Sequence, residues 1–306
     1  MIHMMKDVDL VLQINNLTKL FGTKPAVNEL SLSVNRGEIF GFLGPNGAGK
    51  TTTIRVILDI LRPSNGNVIL FGQGNNLTKE THKRIGYLSG EMVIDGDLSG
   101  KQYLNFVDHQ YGGGHQHRMN ELAKLLRIDL NTRIDTYSRG NRQKIALIAA
   151  IMHEPELLIL DEPTSGFDPL VQETFVDLIK KYQANGGTVF MSSHILSEVQ
   201  RLCSRVGFIK DGSLIGVKNV EELRTNSKKT IRVTAAEDEI SKLNAKYKTL
   251  KGLKAQGLDK TSVTFGYSGD MQRLLRFFGT YKLSDITITE PELEEVFLDY
   301  YNQKES

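Results

Sequence analysis

The chain has 306 residues, of which 40% are apolar and 24% charged, ordinary usage for a globular protein with a sizeable core. Its 38 basic and 36 acidic side chains leave a net charge of +2, so composition gives no basic footprint for a nucleic-acid partner. A single cysteine, Cys203, excludes an internal disulfide and fits a reducing cytosol. No run approaches the ~18–20 apolar residues needed to span a bilayer. The first six residues hold no apolar segment before Asp7 and Asp9. No secretion signal is therefore expected, and any membrane connection should come through a partner.

In chain order, residues 12–14 and 30–34 alternate with a period of two and predict strands. Residues 39–43 form a short apolar strand that runs into a glycine-rich turn. Residues 51–61 place Ile54, Ile57, Leu58 and Leu61 at helical spacing, and this helix is expected to stop at Pro63. A strand at 68–71 follows. Residues 97–130 read as mainly helical, broken at Gly112, Gly113 and Gly114. Then come a helix over 141–152, a buried strand at 157–160, a helix over 170–185 and a strand at 188–191. Such alternation implies parallel pairing in a mixed α/β sheet.

Composition changes after about Asn219, and the polar stretch 224–227 with Lys228 and Lys229 reads as a linker. Beyond it the pattern predicts strand 231–235, helix 237–248, strands 253–257 and 262–267, helix 270–278, strand 284–288 and a last helix 291–301. This βαββαβ order is that of a small ferredoxin-like module. The expected domains are therefore 10–222, with a helical subdomain at about 92–152, and 228–306.

Gly44-Pro45-Asn46-Gly47-Ala48-Gly49-Lys50-Thr51 fits G-x-x-x-x-G-K-[ST] between a predicted strand and a predicted helix. Small residues let backbone N–H groups close around phosphate oxygens, and the helix adds its positive N-terminal end. Lys50 would supply a point charge to the outer phosphates and Thr51 a hydroxyl ligand for Mg²⁺. Thr52, next in the helix, completes the expected ATP contacts. The strand at 157–160 ends in Asp161 and Glu162, adjacent carboxylates that are costly at a buried strand end without a cation. Asp161 is expected to face the metal with Thr51, and Glu162 to polarise the attacking water. The next strand ends in Ser192-Ser193-His194, which puts a histidine where a γ-phosphate sensor would stand.

With these motifs in this order, the first two-thirds of the chain resembles the ATP-binding cassette (ABC) family. The resemblance implies a head-to-tail dimer, with a second copy or a homologous cassette, that sandwiches two ATP molecules between the phosphate loop of one subunit and the signature of the other. It also implies an integral-membrane permease partner at the cytoplasmic face of the membrane. The signature falls on Tyr137-Ser138-Arg139-Gly140-Asn141, where Ser138 and Gly140 are retained and Arg139 replaces a glycine. Asp168 closes the D-loop that begins at Ser165, and Phe21 matches the aromatic that stacks on adenine. In the Q-loop the usual glutamine slot falls on Gly90, with Glu91 beside it as the nearest substitute. The tail around residues 291–298 is similar to that of drug- and lipid-exporting cassettes of the daunorubicin-resistance type.

Two other classes fit the sequence less well. A soluble cassette acting on ribosomes or DNA usually carries two cassettes or long coiled-coil insertions, absent here. A P-loop GTPase or small-molecule kinase would lack a use for the signature and His194, and no N-K-x-D motif is present. His115 and His117, with no cysteine and no neighbouring acid, make a poor zinc set. Basic residues at 246–251 read as a solvated helix end.

Overall fold

The computed structural model of the protein describes residues 9–74, 77–90, 96–222 and 229–289. Two long strands, β1 (Leu10–Phe21) and β2 (Lys24–Asn35), form an antiparallel hairpin. After β3 (Ile39–Leu43) and α1 (Lys50–Ile57), β4 (Asn65–Leu70) returns to the free edge of β1. The result is a three-stranded sheet in the order β2-β1-β4. Both hairpin strands are longer than the apolar alternation indicates, because register shifts around Asn16 reset which side chains face inward.

The predicted helix after the glycine-rich turn ends early. Asp59 takes a left-handed φ of 58°, its N–H bonds the Val56 carbonyl, and the Ile60 N–H reaches back to Arg55. That is a Schellman stop, so Asp59 ends α1, before Pro63 is reached.

The main sheet has the order β5-β6-β7-β3-β8-β9. It comprises β5 (Ile85–Leu88), β6 (Leu157–Asp161), β7 (Thr188–Ser193), β8 (Arg205–Lys210) and β9 (Ser213–Asn219) with β3 at its centre. The first five positions pair in parallel, and β9 closes the edge antiparallel. Every residue of β3, β6 and β7 is buried, as a parallel sheet covered on both faces requires. Phe190 stacks on Phe40 at 5.8 Å and tilts against Phe42 at 5.5 Å, joining β7 to β3 at the core. The same buried cluster takes in Ile14 and Leu30 of the small sheet with Ile54 and Ile57 of α1.

Short α2 (Lys79–Lys83) precedes β5. The helical region contains α3 (Gly100–Gln110), α4 (Gln116–Leu125) and α5 (Arg139–Ile151). A capping box between Ser99 and Gln102 starts α3. The three glycines after it all adopt positive φ, as the break in the helical pattern anticipates. Asp168 caps α6 (Pro169–Ala184), which has proline at its first position, and α7 (Leu196–Leu202) follows β7.

The chain divides into Met1–Asn219 and Val220–Ser306. The second unit builds β10 (Lys229–Ala235), α8 (Glu237–Lys246), β11 (Leu253–Leu258), β12 (Ser262–Tyr267), α9 (Met271–Phe278) and β13 (Leu283–Thr289). Its antiparallel sheet runs β11-β12-β10-β13, the split βαβ arrangement, around a core of its own that includes Ile231, Phe265 and Phe278. The expected helix at 291–301, most of the expected linker, and Glu91 lie outside the described residues.

Candidate active site

Strands β6, β7 and β3 are neighbours, and their carboxyl ends lie level: Asp161 pairs with Ser192, and Leu43 with Ser193. In an open α/β sheet this edge is where ligands bind. Each strand delivers one part of the site there.

From β3 the chain wraps around its own lysine. Lys50 is only 5% exposed, and its ammonium donates to the Gly44 carbonyl at 2.8 Å and the Pro45 carbonyl at 3.1 Å. Gly47 and Gly49 hold φ of 79° and 106°, and a Cβ on Gly49 would lie 2.5 Å from the Ala26 carbonyl oxygen. Only glycine fits there without strain. A cavity of about 210 Å³ opens over this loop, lined by Ala26, Asn46, Gly47, Gly49, Lys50, Thr51, Thr52 and Glu162.

From β6 come the two carboxylates. Asp161, 2% exposed, accepts from the Thr51 hydroxyl at 2.8 Å and from the Ser192 hydroxyl at 2.5 Å. Glu162 takes a left-handed φ of 47°, an expensive conformation for a residue with a side chain. Ser192 compensates: its carbonyl and its hydroxyl oxygen both accept from the Glu162 N–H, at 3.2 and 3.1 Å. This backbone twist turns Glu162 away from Asp161 and toward the cavity. Its Oε1 stands 3.3 Å from Lys50 Nζ and 3.3 Å from Nδ1 of His194, the residue that follows β7. His194 remains 43% exposed.

The other expected site residues sit apart from this cavity. Ser138 caps α5, accepting from the Asn141 N–H at 3.2 Å, and no acceptor for its own hydroxyl hydrogen occurs among the described residues. Gly140 packs so closely on the D-loop that a Cβ would meet the Gly166 carbonyl oxygen at 2.7 Å. Arg139 donates to the Ser165 hydroxyl at 2.7 Å. Asp168 accepts from the Val171 N–H at 2.9 Å, so its carboxylate serves α6 within the chain. Phe21, at the tip of the hairpin, is 54% exposed with Lys19 Nζ 5.4 Å from its ring. Gly90 lies against β6, where a Cβ would be 3.1 Å from the Asp161 carbonyl oxygen.

Several partners were not legible from motifs. Ser192, which holds the Asp161 carboxylate and the Glu162 N–H, could have been suspected from its place one residue after β7's last apolar side chain. One expectation about the histidines is corrected: His115 does have an acidic neighbour. Buried Asp108 accepts from its ring Nδ1 at 2.6 Å and from Gln116 at 2.7 Å, which makes His115 part of the α3–α4 junction.

The comparisons agree with this geometry. Residues 27–165 match the sequence profile described as ABC transporter. The chain is 37% identical over 221 residues to the linearmycin resistance ATP-binding protein LnrL of Bacillus subtilis, covering 70% of each chain. It is 34% identical over 238 residues to the bacitracin transport ATP-binding protein BcrA of Enterococcus faecalis, covering 76% of this chain and 77% of that one. A solved structure described as the ATP binding subunit of an ABC transporter superposes with a TM-score of 0.66 at 25% identity, over 70% of this chain and 92% of that one. With a phosphate loop, paired carboxylates and a histidine converging at one sheet edge, and with these relatives, the chain belongs to the ATP-binding, ATP-hydrolysing subunits of the ABC transporter family.

Proposed function

We propose that this subunit powers an exporter of drug-like or lipid-like molecules, at the cytoplasmic face of a membrane, by hydrolysing ATP in a head-to-tail dimer. The observation that carries the reading is the chain of contacts Thr51–Asp161–Ser192–Glu162–His194, with Lys50 on the same Glu162 oxygen. The ATP phosphates would lie in the 210 Å³ cavity against Gly44 to Thr52, with Lys50 on the outer oxygens and Phe21 stacked on the base. Glu162 would accept a proton from the attacking water, and His194 would hold the γ-phosphate against it.

The Thr51 hydroxyl and the Asp161 carboxylate, 2.8 Å apart, are hard oxygen donors of the kind Mg²⁺ takes. Bound there, the ion would neutralise phosphate charge. Ser138, with its uncommitted hydroxyl hydrogen at the start of α5, and Gly140 would meet the partner subunit's ATP; Asp168, by capping α6, would hold the D-loop beside them.

No helix of the described residues is long and apolar enough to cross a membrane, and the membrane pathway would be supplied by a permease partner. The second unit would be an independent module of that assembly, from about residue 228 onward. The test is co-production with a candidate membrane permease, chosen from the genes adjoining its own. The subunit should then sediment with membranes and hydrolyse ATP faster than it does alone. A subunit that ignores that protein in both assays overturns the exporter reading.

A further inference from the structure

Ser192 and Ser193 are consecutive residues at the end of β7, so their side chains point to opposite faces of the sheet. Ser192 is bound to Asp161 and to the Glu162 N–H. Ser193 points the other way, to a residue that no motif accounts for. Its hydroxyl lies 2.7 Å from Glu198 Oε2 and 3.1 Å from the Ile195 carbonyl. A hydroxyl has one hydrogen, and the nearer, charged oxygen takes it. The second carboxylate oxygen of Glu198 accepts a short hydrogen bond from the Thr164 hydroxyl. Thr164 is 6% exposed and Ser193 1%.

The connectivity matters more than the individual bonds. Thr164 stands two residues after Glu162, and Ser193 immediately precedes His194. Ser193 Oγ also accepts from the Ile195 N–H at 2.9 Å, which fixes the chain on both sides of the histidine. One carboxylate therefore ties together the two segments that carry Glu162 and His194. Since Glu162 holds a strained φ of 47°, its position depends on such ties on both sides.

We propose that Glu198 is a positioning residue for hydrolysis, setting the 3.3 Å approach of His194 to Glu162 through Ser193 and Thr164. The inference rests on the reading of Glu162 and His194 as the hydrolytic pair. Glu198 is absent from the lining of the cavity over the phosphate loop, so its effect must appear in turnover and not in ATP binding.

A competing role is available, because Glu198 sits in the first turn of α7, where any negative charge complements the helix end. The two roles separate by length. Aspartate keeps the charge at the helix start, but its shorter side chain cannot reach Thr164 and Ser193 at once. The experiment measures ATP hydrolysis and equilibrium ATP affinity of the full chain for Glu198→Asp, Glu198→Ala, Thr164→Val and Ser193→Ala, with thermal unfolding as the folding check. Glu198→Asp and Glu198→Ala should each lower kcat by about 10²-fold, the scale of a misplaced reacting group, with KM and ATP affinity within twofold. Thr164→Val should fall in the same direction, and adding it to Glu198→Ala should cost nothing more. Wild-type kcat in Glu198→Asp overturns the proposal, as does a loss confined to KM. Should the alanine variant fail to fold, Thr164→Val and Ser193→Ala decide alone, and unchanged kcat in both overturns it. If Glu162→Gln hydrolyses ATP normally, the underlying reading of the pair has failed instead.

Discussion

Lys50 Nζ lies 3.3 Å from Glu162 Oε1 while donating to two carbonyls of its own loop. The two charges thus neutralise each other inside the chain. On the proposed roles, a triphosphate, carrying more negative charge than one carboxylate, would draw the lysine toward itself and leave Glu162 free to accept a proton. The pair would then act as an internal placeholder for the substrate.

Lys50→Ala should therefore remove a charge-assisted phosphate contact, a loss of ~1.5–3 kcal/mol. ATP affinity is expected to fall at least tenfold and hydrolysis to disappear, measured by nucleotide titration and phosphate release. The substitution also strips the Gly44 and Pro45 carbonyls of a donor, so a lower unfolding midpoint should accompany it. Wild-type ATP affinity in a folded variant would remove the phosphate-loop assignment.

Glu162→Gln keeps the shape of the side chain and removes its basicity. Turnover should drop ~10²-fold or more. ATP affinity should be equal to or higher than that of the native chain, because Lys50 loses its competing carboxylate. A variant with full turnover would place the base elsewhere. Weaker ATP binding would contradict the placeholder relationship.

The motifs were legible because the chemistry of phosphate binding restricts residue type and spacing locally, from Gly44 to Thr51 and at Asp161-Glu162. The alternation of strands and helices was legible for the same kind of reason, since its periods are local. What was hidden depends on neighbours brought in by the fold. Asp108 meets His115 only because the glycine loop reverses the chain. Asp59, an ordinary helix residue by propensity, stops α1 through backbone geometry. Glu198 gains its significance only when β6 and β7 lie side by side, which brings Thr164 and Ser193 to one carboxylate. Gly90 reads as a missing glutamine in the sequence; in the fold a Cβ there would lie 3.1 Å from the Asp161 carbonyl oxygen.

Gly140→Ala tests the seam between the signature and the D-loop. Its Cβ would stand 2.7 Å from the Gly166 carbonyl oxygen, against backbone that cannot rotate away. The D-loop must shift, and the Ser165 N–H bond to the Glu162 carbonyl at 3.2 Å shifts with it. Hydrolysis should fall at least ~10-fold, while ATP binding by one isolated subunit stays unchanged because the phosphate loop is untouched. Arg139→Gly, by contrast, deletes an exposed contact to Ser165 and should alter stability by less than ~1 kcal/mol. Equal turnover losses in the two variants would show that the contact of Arg139, and not the close packing of Gly140, governs the D-loop.

The last prediction concerns acid. His153 stacks on Tyr111, ring centroids 3.6 Å apart, and its Nε2 faces the Ile85 carbonyl at 3.3 Å. A carbonyl only accepts, so Nε2 carries the proton and Nδ1 presents a lone pair, for which the described residues offer no hydrogen-bond partner. Protonating the ring would bury a charge, and this burial pushes the His153 pKa down to about 4; the Ile85 and Ala149 carbonyls oppose the shift and His115 adds repulsion. The unfolded chain takes up that proton near the ordinary value of 6.5. Between those two values the unfolded state binds more protons, so stability contributed by neutral His153 is complete above pH 6.5 and is lost as pH falls toward 4. Below about 4 both states are protonated, and the loss levels off. His153→Phe keeps a ring against Tyr111 and cannot titrate. Its urea midpoint should be lower than that of the native chain at pH 7.5, because the Ile85 contact is gone, yet should decline less steeply between pH 6.5 and 4. Parallel pH profiles for the two proteins would mean that His153 titrates in the fold as it does in the unfolded chain, and that burial at the α5–β5 junction does not hold it neutral.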